Sequence, residues 1–236
     1  MSVGAKIVAV TKPVLVDQND PFGAEVGIQD FIAYVARVSN PSNQNNKLTA
    51  GKLLKYLAKH KHWSPFEMVH VVMEINTTRD IARQILRHRS FTFQEFSQRY
   101  ADPTNDLGFV TREARMQDPK NRQNSIAINP GDGENVANLM SDWHWQQQNM
   151  IDAAKSAYDW AIQNGIAKEQ ARAVLPEGLT ASRMYMAGSL RSWIHYCQLR
   201  AANGTQKEHQ EIAVDCWYQL MYYFPFLDEI GLKEDN

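Results

Sequence analysis

Apolar and polar residues alternate in AKIVAVTKPVLV (residues 5–16), many of them β-branched, and this period of two predicts a strand or a pair of strands. The period then lengthens. In GIQDFIAYVARVS (27–39) apolar residues recur at three- and four-residue intervals and predict a helix, while SNPSNQNN reads as a loop from its composition. TAGKLLKYLAKHK (49–61) predicts an amphipathic helix with Thr49 as N-cap and a basic C-terminus. HWSPFEMVHVVMEIN turns at Pro65 and becomes β-rich, after which Thr77 or Thr78 is placed to cap a helix through RDIARQILRHR.

Residues 101–134 are rich in Asp, Asn, Pro and Gly and predict a long surface excursion, with a short helix around TREARMQ (111–117). Helical spacing returns over 135–166, and KEQARAVLP (168–176) is a shorter helix that Pro176 stops. SRMYMAG (182–188) predicts a strand. SLRSWIHYCQLRA (189–201) and TQKEHQEIAVDCWYQLMYYF (205–224) predict two further helices, the second capped by Thr205. With strands near the start, mostly helices afterwards, no internal repeat and no break in composition, the chain is expected to be one α+β domain over residues 1–236.

Net charge changes the picture by exclusion: at -1 it argues against a generally basic nucleic-acid binder, so any cationic function is local. No apolar run is long enough to cross a bilayer and the first residues lack the pattern of a signal peptide, so a cytoplasmic protein with no membrane partner is expected. Cys197 and Cys216 both sit in helical apolar patterns and read as buried structural thiols. His60 and His62 lack a suitably spaced third ligand, so no metal site is expected.

Local chemistry concentrates in RHRSFTFQEFSQRY (87–100). Between residues 79 and 122 there are eight arginines against one lysine, whereas 47–61 holds five lysines and no arginine. Either cation satisfies simple solvation, but the planar fork of arginine grips phosphate or carboxylate bidentately. The plainer explanation is a set of structural ion pairs. Spacing adds a second reading: Gln84, Arg87 and His88 would share a helix face, while Glu95, Ser97 and Arg99 would alternate along an extended segment backed by Phe91, Phe93 and Phe96. Such residues could surround one polar, anionic ligand. The alternatives are, second, a module that clamps a single nucleic-acid strand and, third, a catalytically inert scaffold.

Arg87-His88-Arg89, followed by seven residues and Ser97, resembles the signature of the flavin-dependent thymidylate synthases, and HWSPFE (62–67), ARAVLP (171–176) and LRSWIHYCQLRA (190–201) follow in the family's order. The resemblance implies a mixed, mainly antiparallel sheet flanked by helices, with no Rossmann domain. It implies reductive methylation of dUMP to dTMP, with methylenetetrahydrofolate as carbon donor, FAD as hydride carrier and NADPH as reductant. It also implies a homotetramer whose active sites are shared between subunits. By position, His62, Ser64, Arg87, His88, Arg89, Ser189, Leu190 and Arg191 fall where the family meets FAD, and His195 falls where it often has Asn; Glu95 borders the same group. Gln84, Arg87, Glu95, Ser97, Gln98, Arg99 and Arg172 fall at dUMP positions. Arg200 aligns with the arginine that assists ionisation at uracil N3, and is the expected catalytic residue.

Overall fold

The computed structural model describes residues 2–15 and 25–232. Its centre is a four-stranded antiparallel sheet in the order β1-β2-β6-β3, made of β1 (Gly4–Val10), β2 (His70–Thr78), β3 (Thr92–Glu95) and β6 (Ala181–Ser189). β2 and β6 are paired along their whole length, from His70 opposite Ser189 to Thr78 opposite Ala181. In β2 every second residue is buried (Val71, Met73, Ile75), and this alternation turns one face of the sheet to the core. α1 (Ile28–Ala36), α2 (Ala50–Lys59), α7 (Leu190–Arg200), α8 (Lys207–Tyr223) and the short α9 (Leu227–Ile230) contribute Ile32, Leu54, Trp193, Leu220 and Leu227 to that core. Gly188 makes room for it: a Cβ there would lie 2.5 Å from the Phe91 ring.

The helices fall where the periodicity puts them, but several caps differ. Thr49 makes no side-chain cap; its hydroxyl accepts instead from Arg37 at 2.8 Å. Thr78 stands at the N-cap of α3 (Arg79–Ile85), yet its hydroxyl donates to the Asp80 carboxylate at 2.6 Å. α8 starts from Gln206, one residue beyond Thr205. The second half of the opening β-rich segment forms no strand among the described residues, and residues 16–24 lie outside them.

The long connection divides into two unlike parts. Its first part packs inward: Asp102 caps α4 (Pro103–Asp106) by accepting from the Thr104 and Asn105 N–H groups, Leu107 is buried, and Phe109 bridges to Thr180. Residues 111–117 form no helix. β4 (Arg115–Gln117) pairs with β5 (Ser125–Ala127) as a separate hairpin, whose outer residues Met116 and Ile126 are exposed. α5 (Glu134–Gln163) is the long helix, and α6 (Lys168–Ala171) passes into a 3-10 turn that ends before Pro176. Tyr158 and Ala161 of α5 join Ala171 and Leu175 in a small second core. No helix among the described residues is long and apolar enough to cross a membrane.

Candidate active site

α2 ends by a Schellman motif: His62 N–H reaches the Leu57 carbonyl and Lys61 N–H the Ala58 carbonyl. The left-handed position is held by Lys61 at φ 58°, where glycine is usual, at a backbone cost of about 1 kcal/mol. This reversal puts His62 on the surface immediately before the 3-10 turn Ser64–Met68, and Ser64 opens that turn. Glu67, in the same turn, accepts from the Ser189 hydroxyl and the Arg191 guanidinium, each at 2.6 Å. Burial would raise its carboxyl, but those two bonds and the charges of Arg191 and His195 bring it below its ordinary value. Ser189 also caps α7 by accepting from Ser192 N–H, with Leu190 buried behind it.

His195 packs edge-on against Trp63, ring centres 4.7 Å apart, and borders two clefts. One, of about 810 Å³, is lined by Lys61, Trp63, Gln198 and Ala202; the other, of about 400 Å³, by Glu67, His70, Ser90, Ser189 and Arg191. Ser189, Arg191 and His195 thus share one cleft, and the turn that Ser64 opens is tied to them through Glu67 and Trp63, whereas His62 lies beside Tyr56 and His60. Glu67 holds that group together and was not among the expected residues; its place in the HWSPFE segment was the available signal.

α3 is shorter than expected and stops at Ile85, so Arg87, His88 and Arg89 lie in the turn beyond it. Five of the eight arginines do form the carboxylate pairs of the plainer explanation: Arg79 with Glu95, Arg83 with Glu177, Arg99 with Glu169, Arg112 with Asp80 and Arg115 with Glu208. Arg87 and Arg89 are exposed and have no ion-pair partner among the described residues. His88 is half-buried against the edge of Tyr196, and its Nε2 accepts from Arg200 Nε at 2.8 Å. Burial, reinforced by the Arg200 charge, lowers its pKa to about 4, so the ring is neutral and its proton sits on Nδ1. Held through Nε, Arg200 keeps both terminal nitrogens without a hydrogen-bond partner among the described residues.

Beyond β3 the chain does not stay extended. Ser97 starts a turn whose carbonyl accepts from Tyr100 and Ala101, so Glu95, Ser97 and Arg99 do not share one side of a strand. A carbonyl bonded locally to two N–H groups bends the chain away from the sheet ladder. Glu95 accepts through Oε1 from Ser182 at 2.7 Å and from the buried Arg79 at 3.3 Å. Arg79 was missed in the sequence because nothing set it apart from its arginine neighbours. Gln98 is 5% exposed and its Nε2 has no hydrogen-bond partner among the described residues, while Arg99 and Arg172 meet at Glu169, the first on its carboxylate (3.4 Å) and the second on its carbonyl (3.3 Å). Gln84 is turned toward α8, where it bonds His209 and Gln206. Phe91 is buried against Trp193 and Tyr196 and cannot stack on a base, which weakens the single-strand clamp.

The sequence profile described as "Thymidylate synthase complementing protein" matches residues 24–226. The chain is 45% identical over 223 residues to the probable flavin-dependent thymidylate synthase of Paramecium bursaria Chlorella virus 1, covering 94% of this chain and 96% of that one. The chain belongs to the flavin-dependent thymidylate synthase family. A second relative, from Synechocystis sp. (strain PCC 6803), is 44% identical over 221 residues and carries the family name; 93% of this chain and 95% of the relative are covered. The fold is also that of the UMP/dUMP methylase PolB from Streptomyces cacaoi, solved with 5-Br dUMP: TM-score 0.75 at 21% identity, covering 97% of this chain and 94% of that one.

Family membership does not require the expected residues to meet within one subunit. Phe96 N–H bonds the Arg183 carbonyl near the start of β6, and Ser97 to Arg99 follow from there, whereas Ser189 and Arg191 lie at the other end of that strand. At the usual rise of a strand, the stretch from Arg183 to Ser189 spans roughly 20 Å. The Cys197 thiol is fully buried among core residues, and burial pushes its pKa well up, so it is no nucleophile. Among the described residues no group of three His, Cys, Asp or Glu could hold a metal ion.

Proposed function

We propose that the protein is a thymidylate synthase that methylates dUMP reductively to dTMP, with FAD as its flavin. The observation that carries this reading is the Arg200 guanidinium, held by neutral His88 through Nε, with both terminal nitrogens left without a hydrogen-bond partner among the described residues. Uracil C5 is a poor nucleophile until negative charge builds on the ring. A fork fixed at the N3/O2 edge stabilises that charge in a site that excludes water. Both close relatives are named as flavin-dependent thymidylate synthases, which supports the same activity here.

The residues fit a dianionic flavin nucleotide. Arg87 and Arg89 are exposed cations with no counter-charge among the described residues, and the neighbouring Ser90 lines a cleft with Ser189 and Arg191. Bound FAD would supply the hydride that turns the transferred carbon into a methyl group. Arg99, Arg172, Ser97 and Gln98, whose Nε2 has no partner among the described residues, are suited to hold the nucleotide phosphate, and Glu95, whose Oε2 makes no hydrogen bond among those residues, can accept from the sugar. The family resemblance supports methylenetetrahydrofolate as carbon donor, near His62, and NADPH as reductant.

The span of β6 supports assembly: groups about 20 Å apart in one subunit can be completed into one compact site by residues of a neighbouring subunit. A surface for association is present. Along α5, Trp143, Met150, Ala153, Ala157 and Trp160 form an exposed stripe at intervals of seven, three, four and three residues, beside the buried stripe of Gln147, Ile151, Ala154, Tyr158 and Ala161. Antiparallel pairing of two such helices sets Met150 over Ala153 and Trp143 beside Trp160, a large residue on a small one and two aromatic rings together. We read this as a contact of a homotetramer with shared sites. An absorbance spectrum tests the proposal: the purified protein should show an oxidised-flavin spectrum and release FAD on denaturation. A colourless protein that takes up no added FAD would overturn it.

A further inference from the structure

A chain of hydrogen bonds runs from the core to Glu208, every link donating toward that carboxylate, which Arg115 of the β4–β5 hairpin meets from the other side. At its outer end Glu208 accepts from Arg115 of β4, and an ionised carboxylate can only accept. Burial would raise the Glu208 carboxyl, but its hydrogen bonds and the charges of Arg115 and Arg112 lower it overall. Gln206 Nε2 therefore donates to Glu208 Oε2 at 2.9 Å, which leaves Gln206 Oε1 to accept from Gln84 Nε2 at 2.8 Å. Gln84 then turns its oxygen to His209 Nδ1 at 3.2 Å, and His209 Nε2 faces the Tyr196 hydroxyl at 3.1 Å. Reversing any amide would oppose two donors or two acceptors. His209 is 0% exposed, so neither ring nitrogen has water as an alternative partner.

We propose that His209 is a positioning residue of the nucleotide site, locked as the Nδ1–H tautomer so that the Gln84 amide keeps one N–H for an acceptor atom of the substrate. The inference rests on the reading of Gln84 as a nucleotide-binding residue. It also gives the hairpin a task, since Arg115 anchors the direction of every link. The neutral state agrees: burial, then the charges of Arg200 and His88, lower the His209 pKa to about 3.

Two variants of the flavin-loaded protein test it. His209→Gln can place an N–H toward Gln84 and a carbonyl toward Tyr196; His209→Leu can place neither. The leucine variant should keep its flavin spectrum and weaken equilibrium dUMP binding about 10-fold, with kcat at saturating dUMP little changed, and the glutamine variant should recover most of the affinity. If both bind dUMP like the parent, or the glutamine variant binds as weakly as the leucine one, the proposal is wrong. Should His209→Leu not fold, His209→Asn, too short to span from Tyr196 to Gln84, is expected to show the same loss, and parental affinity in it overturns the proposal. The 15N resonances of the His209 ring test the tautomer independently: a protonated Nδ1 and bare Nε2 are expected, and a protonated Nε2 sinks the proposal. Failure of the parent protein to bind dUMP would instead overturn the function of the site and leave that assignment to the NMR result.

Discussion

Arg200→Lys separates charge from geometry at the centre of the proposed site. In the protein Arg200 spends Nε on His88 and keeps its terminal fork for a ligand. A lysine carries the same charge on one nitrogen, so it can satisfy the bare His88 Nε2 or meet the pyrimidine edge, but cannot do both in one geometry. One charge-assisted hydrogen bond, about 1.5–3 kcal/mol, is then missing where negative charge develops, which lowers kcat roughly 10- to 150-fold. If the site is dry in the working complex, the loss moves toward the ~10²–10³ typical of a removed oxyanion donor. The assay is dTMP formation at saturating dUMP, with flavin absorbance confirming that the variant has folded and loaded its cofactor. A folded, flavin-bound Arg200→Lys protein with kcat within about twofold of the parent would refute the role given to the fork.

Three further outcomes are expected. Ser97→Ala should raise the KM for dUMP by about 10-fold or more and leave kcat measurable, because the hydroxyl is placed to bind phosphate and has no base oriented beside it; abolished turnover with intact dUMP binding would contradict this. Stability should fall with pH: His88 and His209 titrate at about 4 and about 3 in the folded chain but near 6.5 when unfolded, so between roughly 6.5 and 4 the unfolded state binds more protons. Each of the two histidines then removes roughly 1.4 kcal/mol per pH unit, and His209→Gln should flatten the denaturation profile by one proton's worth; an unchanged slope counts against it. Ala157→Glu puts a charge in the exposed α5 stripe and should shift sedimentation from a tetramer to smaller species with loss of activity, whereas an active tetramer would show that this stripe is not a contact.

Periodicity alone located the α5 and α8 helices and the β6 strand, because each buries one stripe or one face and the apolar residues must recur at that interval. The RHR motif and its spacing to Ser97 pointed to a site through family resemblance, since exposed arginines are solvated and need no ligand by themselves. What the sequence could not state is which donor meets which acceptor. Thr49 and Thr78 have the right type and position for caps, yet their hydroxyls turn to Arg37 and Asp80, whose nearness depends on how the elements pack. The segment 111–117 is expected as a short helix, but its last three residues pair as a strand because Ser125–Ala127 offers them a ladder. The roles of Glu67, Arg79 and His209 were hidden for the same reason, although the HWSPFE segment pointed to Glu67: each acts through residues 16 to 125 positions away, and only the tertiary structure sets the donor of one beside the acceptor of the other.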